Sequence, residues 1–126
     1  MILDTCALLW LASGDHSRFS EATLAKINRA PYVFVSAISG FEIGVKYKAG
    51  KLRLPVAPQA WLDAILQSHQ IEVFYLDLET CIYATELPPI HKDPCDRLII
   101  ASALTRAMPV VTSDTRFSDY GVHVLL

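Results

Sequence analysis

Three aspartates stand where apolar segments of this chain end or begin. Asp4 closes "MIL", Asp114 follows "VVTS", and Asp96 lies within "HKDPCDRLIIASAL" (residues 91–104), just ahead of an almost wholly apolar run. Carboxylates gathered into one cleft repel one another, by roughly 1 kcal/mol per pair at 4 Å in water and about 4 kcal/mol at an effective dielectric near 20. Such a cluster takes up protons or binds a cation. An all-oxygen donor set favours Mg2+ or Mn2+ over zinc. Each acid also has an ordinary explanation. Asp4 and Asp114 suit turn acids or helix caps. Asp93 before Pro94 reads as an N-cap followed by proline at the first helical position. Asp96 then falls at the third position, where a capping box places an acid. Capping alone, however, does not require these residues to converge.

The elements between the acids decide whether they meet. "MIL", "YVFV", "EVFYL", "VVT" and "VHVLL" read as short strands, apolar throughout rather than alternating. Helices are expected through "CALLWLA" capped by Thr5, through "EATLAKINRA" capped by Ser20, and from Ser36 or Ser39 to about Ala49 with Gly50 closing it. Further helices are expected from Pro58 through "QAWLDAILQSH", through "LETCIYATEL", and from the opening acids to Met108 before Pro109. "SDTRFSDYG" reads as a loop with one helical turn. Strands alternating with helices, and apolar on both faces, are the pattern of a mainly parallel sheet covered on both sides. In such folds sites form outside the carboxyl ends of the strands, where Asp4 and Asp114 stand. A helix apolar nearly all round, like that after Asp96, belongs in the centre of a fold.

Composition narrows the class. The chain has 126 residues, enough for one domain over 1–126, and 52% are hydrophobic, which excludes a disordered tail. A net charge of −2 excludes a basic coat over the whole domain. Cys6, Cys81 and Cys95 form neither a zinc pattern nor a disulfide framework, so a reducing cytoplasm is the expected location. "MILDTCALLWLASG" lacks a basic leader and carries Asp4, so it reads as part of the fold, and no segment is long enough to span a membrane. His16, His69, His91 and His123 lack metal-ligand spacing, and His91 reads as structural.

Glu42 is a fourth acid, in mid-helix between Phe41 and Ile43, with Lys46 one turn later. A surface Glu–Lys pair explains the spacing but contributes only a few tenths of a kcal/mol, and leaves unexplained an acid in so apolar a helix. "KYKAGKLR" sets Lys46, Lys48, Lys51 and Arg53 around Tyr47. It suits either a track for nucleic-acid phosphates with a stacking aromatic or a solvated helix end. Arg97 and Arg116, beside the proposed acids, are the stronger candidates for phosphate contact. Thr112 and Ser113 are candidates to hydrogen-bond the site or its substrate.

Four stretches in this order, "ILDTCALLW", "VSAISGFEIGVKYKAGKLRL", "HKDPCDRLIIASAL" and "VVTSDTRFSDYGVHVL", resemble the PIN-domain family and, within it, the VapC-like toxins of toxin–antitoxin pairs. The resemblance covers nearly the whole chain. Its most specific block is "HxDPxDR" before an apolar helix. It implies a three-layer α/β/α sandwich around a mainly parallel sheet, and a metal-dependent ribonuclease using Mg2+ or Mn2+. It carries the family's acids onto Asp4, Glu42, Asp96 and Asp114, leaving Asp93 as the cap. It also implies a small cognate antitoxin and a homodimer as partners. Three departures stand out. Cys6 occupies a position that is often His, and is expected to pack as a small residue. "FE" replaces "WE". The first strand is very short, as if its start were trimmed or the sheet edge frayed.

Rival readings are weaker. An aspartyl phosphatase usually has a second Asp where Cys6 stands. A receiver domain needs an acidic pair after the first strand and a late Lys, and has "TSDTR" here instead. A non-toxin RNA-processing nuclease of the same fold, or a non-catalytic RNA- or partner-binding domain, are the remaining alternatives.

Overall fold

A computed structural model describes residues 1–126. Its first strand, β1 (Ile2–Leu3), is central in a five-stranded sheet of order β3-β2-β1-β4-β5. Here β2 is Val33–Ser36, β3 Ile71–Phe74, β4 Val110–Val111 and β5 Val124–Leu125. All four pairings are parallel, with Ile2 opposite both Phe34 and Val110. A frayed edge therefore does not explain why β1 is short. Its ladder continues past both ends, as Phe34 N–H donates to the Met1 carbonyl at 2.9 Å and Asp4 N–H to the Val111 carbonyl at 3.1 Å.

Successive strand residues point to opposite faces, and the two faces carry separate cores. Leu3, Val33, Val35 and Val111 pack with Leu8 and Leu11 of α1 (Thr5–Ser13), Ile27 of α2 (Glu21–Arg29) and Ile43 of α3 (Ala37–Lys48). Trp10, and Trp61 of α4 (Pro58–Ser68), pack against this cluster. On the other face, Ile2 and Val110 pack with Ala84 of α5 (Leu78–Glu86) and with Ile99, Ile100 and Ala103 of α6 (Pro94–Arg106). The expected α/β/α sandwich is thus present. The near-uniform apolarity of α6 matches its buried run Ile99–Ala103.

Capping follows the sequence with one correction. Ser20 Oγ accepts the Thr23 N–H at 3.1 Å, and Asp93 Oδ1 accepts the Cys95 N–H at 2.9 Å ahead of Pro94. Of the two serines considered for α3, Ser36 is the cap. Thr5 does not cap α1. Asp4 does, its Oδ1 accepting the Ala7 N–H at 2.8 Å, because the strand ends one residue earlier than a Thr5 cap requires. The last helix also stops short of Met108. It ends at Arg106, with Ala107 in the left-handed conformation at φ 51° turning the chain into β4.

One connection matters to the site. The turn between α5 and α6 is clasped from both sides. Arg97 donates from Nη1 to the Pro88 and His91 carbonyls at 3.0 and 3.1 Å, and from Nη2 to those of Ala84 and Leu87 at 2.9 and 2.7 Å. Tyr120 donates its hydroxyl to the Pro88 carbonyl at 2.6 Å and accepts the His91 N–H at 2.7 Å. The guanidinium expected to meet phosphate is therefore committed to backbone carbonyls, and its planar fork is what allows four of them at once. Arg97→Lys retains the charge but cannot reproduce the fork. We expect it to lower stability by about 2–4 kcal/mol, read by urea unfolding; an unchanged midpoint contradicts the clasp.

Candidate metal centre

The strand order reverses between β1 and β4, since the chain runs from β1 outward to β2 and β3 and returns to the far side of β1 as β4. Such a switch point leaves a crevice outside the carboxyl ends of the two strands. Asp4 leaves β1 directly into it. Thr112, Ser113 and Asp114 leave β4 into the same crevice. Asp96 enters from the first turn of α6, where the helix dipole favours a negative charge.

The acids converge. Ligand atoms of Asp96, Asp114 and His91 all lie within 4.8 Å of one another. Asp4 feels the charges of Glu42 and Asp114, and Asp96 those of Glu42 and Asp4. Glu42 reaches the cleft from α3 and does not form the expected surface pair with Lys46. Instead its Oε1 accepts the Thr5 hydroxyl at 2.6 Å, and Thr5 in turn is 2.8 Å from the Ser39 hydroxyl. Because Thr5 gives its proton to the carboxylate, Ser39 must be the donor to Thr5. The charge of Lys46 is felt at Cys6 and Cys95, which places it near the same cleft, while Lys48, Lys51 and Arg53 lie exposed beyond.

The carboxyls differ in their electrostatics. Burial raises Asp4 above its ordinary value, with Glu42 and Asp114 adding to it and the Thr112 hydroxyl and Ala7 amide opposing. Burial, then the Asp93 charge, pushes Asp96 up to about 7. Asp114 moves the other way. The Arg116 side chain holds it well below the usual carboxylate range, helped by the Arg116 amide and His91. Arg116 Nε and Nη2 bind Asp114 Oδ1 and Oδ2 at 3.0 and 2.8 Å. Thr112 is fully buried, its Oγ1 accepting the Asp114 N–H at 3.0 Å, whereas Ser113 is exposed. Cys6, expected to be packed, is also exposed, because the first turn of α1 buries its neighbours Thr5 and Ala7 and turns position 6 away from the core.

His91 is the residue that sequence reasoning set aside. Its ring is 2% exposed and packs edge-on against Phe117, with ring centroids 5.9 Å apart. Nδ1 accepts the Asp93 N–H at 3.1 Å. A backbone amide can only donate, so Nδ1 carries the lone pair and the proton sits on Nε2. Nε2–H then faces Asp114 Oδ2 at 2.8 Å and Asp96 Oδ2 at 3.1 Å. The imidazole thus donates its one Nε2–H to Asp114, with the Asp96 carboxyl alongside it. The sequence signal was available in the spacing: His91 stands two residues before the cap Asp93 and five before Asp96.

All four acids offer hard oxygen donors, and burial makes ionising two of them costly. That combination suits a small divalent cation such as Mg2+ or Mn2+.

Comparison with known proteins bears on this arrangement. A family profile described as PIN domain matches residues 1–122. Ribonuclease VapC22 of Mycobacterium tuberculosis is 27% identical over 121 residues, spanning 95% of this chain and 91% of that protein. Among solved structures, VapBC2 from Rickettsia felis bound to a promoter DNA fragment contains a similar chain, with a TM-score of 0.70 at 17% identity over 98% of this chain and 97% of that one. A toxin–antitoxin complex from Klebsiella pneumoniae contains another, with a TM-score of 0.67 at 20% identity, covering 99% of this chain and 95% of that one. At these identities the structural likeness concerns the fold.

The raised Asp96 carboxyl makes a testable statement about stability. Folded, it keeps its proton up to about pH 7; unfolded, it loses it near pH 4. Between these values the folded state binds more protons, so the stability this group contributes falls as pH rises through the window. In the presence of a chelator, we expect Asp96→Asn to be more stable than the parent by roughly 1–3 kcal/mol at pH 8, and nearly equal to it at pH 4. Urea unfolding at both pH values checks this; a difference independent of pH contradicts it.

Proposed function

We propose, from the premise that this chain belongs to the PIN-domain family, that it is a metal-dependent endoribonuclease, the toxin of a toxin–antitoxin pair. The observation that supports the reading is the pairing of Asp96 with Asp114 beside His91 at the strand-order switch point, with Asp4 and Glu42 near enough for their charges to be felt there. Likeness to ribonuclease VapC22 supports RNA as the substrate, and likeness to chains of toxin–antitoxin complexes supports a small antitoxin partner. A homodimer and a cytoplasmic location complete the reading. Consistent with the latter, the three cysteines are free and no helix is long and apolar enough to cross a membrane.

Asp4, Asp96 and Asp114 would hold Mg2+ or Mn2+, with Glu42 beside them. A divalent ion there would supply a nucleophilic water at neutral pH and offset charge on the scissile phosphate. Glu42 is fixed through Oε1 by the Thr5–Ser39 relay, which leaves Oε2 to orient that water and accept its proton. Thr112 holds the backbone of Asp114 in place. Exposed Ser113 and Arg116, with half-buried Lys46, line the approach for the RNA backbone, and the exposed Lys48 and Lys51 extend it. In-line attack leaves a 5′-phosphate and a 3′-hydroxyl.

Purified protein is expected to cleave RNA with Mg2+ or Mn2+ and to stop on addition of EDTA. Asp96→Asn, still folded by circular dichroism, is expected to lose cleavage by about 100-fold or more. A variant that cuts like the parent, or a parent indifferent to EDTA, contradicts the assignment.

A further inference from the structure

Every lone pair of the Asp114 carboxylate already has a partner. Oδ1 accepts the Arg116 backbone N–H at 2.9 Å and Arg116 Nε at 3.0 Å. Oδ2 accepts His91 Nε2–H and Arg116 Nη2, both at 2.8 Å. A carboxylate offers about four acceptor sites. Asp114 therefore cannot bind a cation until one of these donors leaves.

The donors are not equally free to go. The Arg116 amide is part of the turn Thr115–Tyr120 that Asp114 caps. His91 is buried, wedged against Phe117 and tied through Nδ1 to the Asp93 amide. The loop that carries it is clasped by Arg97 and Tyr120. The Arg116 guanidinium is different. Its side chain is 54% exposed, on a flexible stem, and returns to water on release. The fork is bidentate and so stronger than an ordinary surface pair, but water takes up the freed guanidinium, which makes it the donor whose release costs least.

His91 is not a substitute ligand. Binding a metal through Nε2 requires that nitrogen to lose its proton while Nδ1 still accepts the Asp93 N–H, which makes the ring an imidazolate. We infer that the two donors divide the work at Asp114: the Arg116 guanidinium is a resident cation that a divalent ion must displace, and His91 is a positioning residue whose Nε2–H stays on Asp114 and keeps it in register beside Asp96. Once displaced, the guanidinium stands free at the mouth of the cleft, one turn from the acids, where a substrate phosphate arrives. The inference rests on the proposed metal-dependent nuclease reading and specifies how that site is loaded.

Opposite signs in two variants test it. Mn2+ binding is measured by the loss of the free-ion electron paramagnetic resonance signal. Arg116→Ala is expected to bind about three- to tenfold more tightly than the parent, having lost the competitor. His91→Gln is expected to bind about 10–100-fold more weakly, as for loss of a group that orients metal ligands. Pulsed resonance on the Mn2+-loaded parent needs no variant and is expected to show no directly bound nitrogen. Equal or weaker binding by Arg116→Ala, in a parent that binds Mn2+ and cuts RNA, overturns the displacement and leaves the nuclease reading standing. A bound nitrogen that disappears in His91→Gln overturns the positioning role. A parent that neither binds Mn2+ nor cuts RNA brings down the inference together with the reading beneath it.

Discussion

Repulsion among carboxylates shapes this molecule more than any other single interaction. The parallel sheet brings the ends of β1 and β4 together, and α3 and α6 deliver two further acids to the same crevice. Left alone, half-buried like charges at such spacing cost several kcal/mol. The protein offsets this with donors of its own. His91 Nε2–H is donated to Asp114 beside Asp96, Arg116 grips Asp114 from solvent, and Thr5 donates to Glu42. What remains uncompensated is visible in Asp96, whose carboxyl is pushed up to about 7 chiefly by burial. One carboxyl left uncompensated beside a fully bonded neighbour is more than helix capping requires, and it is what the proposed cation site calls for.

The surrounding architecture can be read as the means of enforcing that geometry. Ile2 and Leu3 anchor β1 in two cores at once, so Asp4 emerges at a fixed height. Asp4 caps α1 while its carboxyl feels the charges of Glu42 and Asp114, so the cap does not remove it from the cleft. Asp93 combines two roles as well: its side chain starts α6 while its amide sets the tautomer of His91. The short motif from His91 to Arg97 is therefore a single device. Arg97 and Tyr120 hold the loop, the loop presents His91, and His91 holds the acids.

Much of this was legible in the sequence because it depends on local rules. Apolar strands alternating with helices specified the layered sheet, and the acids at the ends of β1 and β4 marked the crevice beside which they lie. Asp93 before Pro94 was recognisable as a cap, and Ser20 as another. What escaped the sequence depends on long-range contact. Arg97 beside an acid looked like a phosphate contact, yet its partners are carbonyls 6 to 13 residues away in the chain. His91 looked structural because its partner Asp114 lies 23 residues further on. Cys6 looked packed because its helix is apolar, although it occupies the one exposed position in that helix's first turn. The brevity of β1 suggested an edge, whereas two-sided pairing is what lets so short a strand sit at the centre.

The central claim is that Asp4, Asp96 and Asp114 form one divalent-ion site with His91 next to it but outside the coordination sphere. Anomalous diffraction from crystals grown with Mn2+ tests it most directly. The account predicts a manganese peak within bonding distance of carboxylate oxygens from all three aspartates, with His91 Nε2 too far to coordinate and still bonded to Asp114. A peak elsewhere, or one bound directly by His91, contradicts it.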